Sequence, residues 1–543
     1  MPHPIRLAKR FPLTTLVGSA VLVSSLMGCS SLTPTSAPMG DTRPVPMNNA
    51  ASTLPSGWHH GAFMEIFVRG YKDSDGDGIG DLRGLTQSLD YLQDLGIKGI
   101  WLMPVTRSAD GDHGYATTDF RSIEPAYGSL ADFDELLKQA HARGIGVITD
   151  YVVNHSAASH PFFVASASPD GGPYRDWYVW QDPAPRGWDI WGNNPWHPTP
   201  QGSFFATFGP HMPDFNLRNP AVVAYHQDSL RFWLNRGLDG FRLDAVPHLI
   251  ENSATDWNDQ PQSRELTHAL RALTQAYGKR YVVCEATANP TAYATPQVCG
   301  SAFAFGHERQ IVNAAQGKPE AIAAVANYFK TAPMSMATMV SNHDIFAGER
   351  LWDQVAGNPA QYRLAAATYL LQPGTPFIYY GEEIGMAGVK SLRGDAPLRT
   401  PLSWTADANT AGFTSGKPFR PVSPNASSHN VAQQRADSNS LLSFYKAMLA
   451  LRNTRASLAQ GSYEHATVAG QVLSYQRKLG DETTLVLINY GPTPAQASVG
   501  HLAPGARLNA LYPNATPDGV SDAKGQASVA MPAQSVAVYA LRR

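Results

Sequence analysis

Gly240-Phe241-Arg242-Leu243-Asp244 is a short, mostly apolar run that stops on a carboxylate. Residues i and i+2 of a strand share a face, so Arg242 sits beside Asp244. Tyr281-Val282-Val283-Cys284-Glu285 repeats the pattern: a buried-strand signature that ends on an acid. Further short apolar runs lie at 63–68, 99–103, 146–152, 302–305, 338–341 and 377–380, which makes eight, the one at 302–305 weak. Helix-period segments such as 130–142, 220–235 and 359–371 lie between them. Strand–helix units repeated over some 400 residues predict an α/β chain whose parallel sheet closes into a (β/α)8 TIM barrel. An open doubly wound sheet is the alternative. No glycine-rich phosphate loop follows any run, which counts against its nucleotide-binding form.

The 543 residues balance 42 Lys+Arg against 44 Asp+Glu, a formal charge of −2, so there is no basic field for nucleic acid. With 43% hydrophobic and 16% charged residues, the chain builds a core and is not disordered. Eleven Trp and 22 Tyr suit a surface that stacks on ring-shaped ligands. Five of the Trp (177, 180, 188, 191 and 196) fall in a loop-like insertion at about 156–212, after the third strand. Such an insertion lies on the active face of a barrel, where it walls a cleft. From about Leu458 the pattern changes to short alternating strands with Gly, Pro and Asn turns. The expected organisation is a barrel over 58–455 and a C-terminal antiparallel β-sandwich domain over 456–543.

The N-terminus carries Arg6, Lys9 and Arg10, then an apolar stretch too short to span a bilayer. Leu26-Met27-Gly28-Cys29 resembles a bacterial lipoprotein box, with Met27 a mild departure from it. The resemblance implies a signal peptide over 1–28, lipidation of Cys29 and a membrane anchor in the cell envelope, at the outer membrane or periplasmic face. An ordinary cleaved signal is the alternative. Residues 29–57, rich in Ser, Thr, Pro, Ala and Asn, read as a flexible tether. Cys284 and Cys299 either pair, closing a loop of about 15 residues at about 3 kcal/mol, or stay as two buried thiols.

Barrel enzymes act at the C-terminal ends of their strands. Asp244, Glu285 and Asp344 all fall at such ends. Acids that converge from three strands raise one another's pKa, so their gathering implies a task, and paired carboxylates cleave glycosides. The cation of Arg242 favours an ionised Asp244, as a nucleophile requires. The apolar run before Glu285 suits that residue to donate a proton. Asp344 follows Ser341-Asn342-His343, a polar tip fit to grip sugar hydroxyls.

These residues resemble the α-amylase family of retaining glycoside hydrolases (glycoside hydrolase family 13) across nearly all of 60–450. Asp150-Tyr-Val-Val-Asn154-His155, Gly240–Asp244, Glu285 and Asn342-His343-Asp344 resemble its four signatures. Met212-Pro-Asp-Phe-Asn216 and Gly374-Thr-Pro-Phe-Ile-Tyr-Tyr-Gly-Glu382 resemble two further motifs. The resemblance implies Asp244 as nucleophile, Glu285 as general acid/base, Asp344 as transition-state stabiliser, and sugar contacts from His113, Tyr115, His155, Arg242 and His343. His248 either lines a subsite or packs against the next helix.

Asp73-Ser-Asp75-Gly-Asp77-Gly-Ile79-Gly-Asp81 sets acids at alternate positions in a glycine-rich loop, a pattern for Ca²⁺. Gly84 stands where an EF-hand has its bidentate Glu, so this is not an EF-hand. By resemblance Asp73, Asp75, Asp77 and Asp81 give side chains and Ile79 a carbonyl, and Asn154 matches a second family calcium ligand. The loop, the Met212 motif and Tyr174–Trp180 look like the branch between oligo-1,6-glucosidases and neopullulanases. Phe215 and the Ala286-Thr-Ala stretch after Glu285 depart from it. The leading expectation is a monomer that hydrolyses internal α-1,4 bonds of starch-like α-glucans. An exo-acting α-glucosidase or oligo-1,6-glucosidase, a transglycosylase, and a non-catalytic glycan-binding lipoprotein are the alternatives.

Overall fold

The computed structural model describes residues 40–48, 52–170, 172–513 and 516–542. The expected signal peptide, Cys29 and about half of the tether lie outside them. Among the described residues no helix is long and apolar enough to cross a membrane.

Seven of the eight apolar runs form one parallel sheet: β1 (Phe63–Ile66), β2 (Gly99–Leu102), β3 (Gly146–Tyr151), β4 (Gly240–Leu243), β5 (Tyr281–Cys284), β6 (Ala337–Thr338) and β7 (Thr375–Tyr379). The order is β5-β4-β3-β2-β1-β7-β6, with Phe63 opposite Gly99 on one side and Phe377 on the other. The run at 302–305 makes no strand of its own. It is reduced to two parallel bridges, Cys284 to Ala302 and Phe303 to Ala337. The Phe303 N–H donates to the Cys284 carbonyl at 3.1 Å and the Ala337 N–H to the Ala302 carbonyl at 2.8 Å. These bridges join β5 to β6 and close the barrel, so the open-sheet alternative falls.

Period-two alternation sorts the strand residues into two layers. Phe63, Trp101, Ile148, Val283, Phe303 and Phe377 point inward and form an apolar plug. Met64, Ile100, Val147, Phe241, Val282 and Cys284 point outward, into the larger core under the helices. One step of two residues above the plug, the inward positions are Glu65, Asp150, Arg242 and Glu285. The interior therefore changes from apolar to ionic within a single layer, toward the C-terminal ends of the strands. The helices carry local start signals: Ser129 forms a capping box with Asp132 at Leu130–Ala142, and Asn219 caps Pro220–Asn235 with Pro at its first turn.

Between β3 and β4 the insertion holds a three-stranded sheet of Trp180–Gln181, Trp196–Thr199 and Gly202–Phe205. Trp177 and Trp196 are buried in it, whereas Trp191 is 60% exposed. After helix Leu441–Thr454 the chain forms an antiparallel six-stranded sheet, from Ser462–Ala469 to Ser535–Arg542. A two-stranded sheet, Ala495–Val499 with Ala527–Met531, packs across it through Leu485, Leu487, Val499, Leu508, Met531 and Tyr539. Cys284 and Cys299, left open between a bond and free thiols, are joined.

Candidate active site

Arg242 is the centre of the ionic layer. Its side chain is 1% exposed and lies over the ring of Trp101, the guanidinium carbon 5.3 Å from the ring centre. Nη1 donates to Asp150 Oδ1 at 2.8 Å and also to Asp244 Oδ1, while Nη2 lies 2.9 Å from Glu285 Oε2. One cation thus serves three carboxyl groups. Strand alternation alone pairs Arg242 with Asp244 and with no other acid. Burial pushes the Asp244 carboxyl well above the usual range; Arg242 pulls it down, and Glu285 and Asp150 push it up again. Asp150 is raised by the same burial. For these two acids the one guanidinium offsets burial only in part.

Glu285 also accepts the Ala245 N–H at 3.0 Å. Ala245 has φ 48°, a left-handed turn straight after Asp244 that swings this N–H toward the acid. The apolar setting suggested for Glu285 by the residues before it is therefore not what the site provides. Alternation turns Cys284 outward and sets Glu285 against a cation and an amide.

Asp344 is held differently. Its carboxylate meets His343 Nε2 at 3.0 Å and Arg399 Nη2 at 2.7 Å. Burial works to raise it, but these two cations hold it well below the usual carboxylate range. His343 is buried, and its Nδ1 lies 2.5 Å from Glu65 Oε1. Burial alone would lower the imidazole; Asp344 and Glu65 outweigh it and push it up to about 10. His343 is an imidazolium between two acids. The Tyr115 hydroxyl joins the two halves, donating to Asp150 Oδ2 at 2.8 Å and lying 2.8 Å from His343 Nε2.

Above this layer opens a cavity of about 560 Å³. Asp244, Glu285 and Asp344 line it, together with His113, Tyr115 and His155. Arg242 and His343 lie one layer beneath and brace the acids. His248 does both things left open for it: it lines the cavity, and its ring stacks on Trp257 at 5.5 Å. Burial lowers His248 to about 4 and His155 to about 3, so both rings are neutral near pH 7. A larger cavity, about 740 Å³, lies under the insertion beside Tyr178 and Asn252, and none of the three acids lines it. The chemistry, not the volume, locates the site.

Four positions were not singled out in the sequence. Glu65 was a lone acid in an apolar run, a signal that alternation could have used. Asp150 stood inside a quoted motif without a task. Arg399 and Asp395 come from a loop after β7 that has no periodic pattern. Arg399 Nη2 lies 3.2 Å from Asp395 Oδ2, and the Arg399 carbonyl accepts from Arg420, which also pairs with Asp112 at 2.8 Å.

At the acidic loop, ligand oxygens of Asp73, Asp75 and Asp81 lie within 4.8 Å of one another, a fit to a hard cation. Asp77 stands outside that group. It is exposed, and its Oδ1 accepts the Ile79 N–H at 2.7 Å. Asn154 is buried at the foot of the insertion beside Asp214, where burial pushes the Asp214 carboxyl up to about 7.

The model of the alpha amylase catalytic domain matches residues 65–461. Alpha-amylase 3 of Dictyoglomus thermophilum is 33% identical over 449 residues, 80% of this chain and 85% of that one. The solved alpha-amylase from H. orenii superposes with a TM-score of 0.78 at 30% identity, covering 89% of this chain and all of its own. The alpha-glucosyl transfer enzyme XgtA gives 0.78 at 27%, covering 90% and 100%. The barrel, the ionic layer at its C-terminal end and a match spanning both place this chain in the alpha-amylase family of enzymes that cleave or transfer glycosyl groups.

Proposed function

We propose that the protein hydrolyses α-1,4-glucosidic bonds of starch-like glucans and maltooligosaccharides, internal bonds included, with retention at the sugar carbon. The single observation that carries the reading is Arg242 holding Asp244 and Glu285 on its two terminal nitrogens. Retaining enzymes set their two carboxyls about 5–5.5 Å apart, inverting ones about 6.5–9.5 Å. Two acids on one guanidinium belong to the closer arrangement. Asp244 attacks the sugar carbon and forms a glycosyl ester, while Glu285 gives its proton to the departing oxygen. Glu285 then takes a proton from water, whose oxygen displaces Asp244. Asp344, ionised between His343 and Arg399, binds sugar hydroxyls beside the positive charge that develops on the ring. His113 and Tyr115 form the floor under that sugar.

The acidic loop fits Ca²⁺, held by Asp73, Asp75 and Asp81, with the Ile79 carbonyl and water completing its oxygens. It stabilises the loop after β1 and takes no part in the bond chemistry. An anchor through Cys29 in the cell envelope is part of the same proposal.

One observation favours exo action as a second reading. Beside Asp344 and His113 the cavity is lined by the ion pair of Arg399 with Asp395, backed by Arg420, which donates to the Arg399 carbonyl and pairs with Asp112. A wall there shortens the site on the side of the sugar that becomes the covalent intermediate. The deciding experiment is a product time course from amylose. Rapid chain shortening into mixed oligosaccharides supports internal cleavage. Glucose alone, with long chains persisting, selects the exo reading. No product from amylose or maltoheptaose refutes both.

A further inference from the structure

Trp191 is the most exposed tryptophan ring of the insertion, 60% accessible, yet it lines the catalytic cavity. Its local geometry explains how the ring is presented. Ile190 and Asn193 close a tight turn, each amide donating to the other's carbonyl at 2.8 and 3.0 Å. The two central residues are Trp191 at φ 50° and Gly192 at φ 84°, both left-handed, the signature of a type I′ turn. Asn-Gly is the usual pair there. A tryptophan in the left-handed region costs about 1–2 kcal/mol, so its place at the tip is imposed by the surrounding structure. Behind it the ring rests on Trp257 at 5.5 Å, His248 at 5.3 Å and Phe208 at 5.8 Å. One edge of an indole is thus fixed by three rings, and its remaining surface faces water at the cavity mouth.

The direction follows from the acids. The sugar attacked by Asp244 lies over Tyr115 and His113, toward Asp344. The departing sugar lies on the far side of Glu285, which protonates its oxygen. His248 stands on that far side, on the short helical turn that begins at Ala245, whose N–H holds Glu285 at 3.0 Å. Trp191 is the next ring outward from His248. Phe346, 51% exposed on the turn after Asp344, offers a second ring to the same cavity.

We propose that Trp191 is the stacking platform for the first glucose on the leaving-group side, and hence for an incoming sugar acceptor when transfer competes with water. Its role is recognition of a glucose ring face; it takes no part in proton transfer. The inference rests on the proposed retaining reaction, and its test separates the two. α-Glucosyl fluoride needs no leaving-side sugar, because fluoride departs instead. Maltoheptaose needs one. Stacking of this kind contributes about 0.5–1.5 kcal/mol, so the ratio of kcat/KM for maltoheptaose to that for α-glucosyl fluoride falls about 2- to 13-fold in Trp191→Ala. It returns most of the way in Trp191→Phe, and the melting temperature of both variants is read alongside. A ratio unchanged in Trp191→Ala, or lowered equally in Trp191→Phe, overturns the platform. Wild-type protein that turns over neither substrate overturns the reaction itself.

Discussion

Glu65→Gln removes one charge from the ionic layer and nothing else. Glu65 is 1% exposed, and the amide keeps an oxygen for His343 Nδ1. In the wild type His343 rises from its ordinary 6.5 to about 10 between Glu65 and Asp344. At 1.36 kcal/mol per pH unit, the two acids stabilise the folded imidazolium by about 5 kcal/mol. A neighbouring opposite charge moves a pKa by about 1–3 units. Without Glu65 the imidazole of the folded protein titrates at about 7–9.

The sign of the effect is fixed by linkage. A raised imidazole contributes its full stability below the unfolded value of 6.5, and that stability is lost as pH rises through the folded value. Near pH 7 the variant is therefore less stable than the wild type by about 1–4 kcal/mol. The gap closes as pH rises through about 10, above which His343 is neutral in both. Urea unfolding at steps between pH 7 and 10 measures that gap, since apart from Glu65 itself every titrating group is common to the two proteins. Activity follows the same charge. Asp344 loses its imidazolium partner earlier, so the basic limb of kcat/KM moves down by about 1–3 pH units in the variant. A stability gap that stays constant from pH 7 to 10, with an unmoved basic limb, would refute the assignment of His343 as an imidazolium held by Glu65.

Three further outcomes follow from the same geometry. Asp244→Asn lowers kcat by more than about 10⁴-fold, as loss of a nucleophile does, while maltotriose still binds in calorimetry; full activity would remove Asp244 from its role. In calcium at 100 times Kd, ion binding to the Asp73 loop stabilises the fold by about 2.7 kcal/mol, so EDTA lowers the melting temperature by a few degrees and Asp75→Asn abolishes that response. A melting curve indifferent to both chelation and added Ca²⁺ counts against the metal. Replacing both Cys284 and Cys299 by Ser opens a loop worth about 3 kcal/mol, a shift of a few degrees in a chain of this size. Equal midpoints for the two proteins would show that the bond adds nothing.

The sequence carried the barrel because β-strands enforce alternation. Every strand run named from its apolar pattern joined the parallel sheet, apart from 302–305. There the closing contact is two bridges long, and two residues leave no periodic trace. The three acids were picked out for the same reason: Asp244 and Glu285 stand one residue past an apolar run and Asp344 three past one, at strand ends where a barrel places its chemistry. What alternation cannot report is how charges are shared across strands. Arg242 and Asp244 are neighbours in sequence, so their pairing could be read; Arg242 with Asp150 and Glu285, from β3 and the end of β5, exists only once the barrel is closed.

The acidic loop shows the converse. Alternate spacing treated Asp73, Asp75, Asp77 and Asp81 alike. In the turn, Asp73 accepts from the backbone of Asp75, Gly76 and Gly78 and from Thr414, which hold its carboxylate low although burial opposes them. Asp77 instead satisfies the Ile79 amide and points to water. Backbone amides of the turn decide which carboxylates converge, and they are invisible in a pattern of side chains. The same limit hid Trp191. Five tryptophans in one insertion look equivalent as letters, and a left-handed tip between Ile190 and Asn193 separates the ring that meets the cavity from those that build the core. Residues placed by strand period were readable, whereas residues placed by turn conformation required the fold.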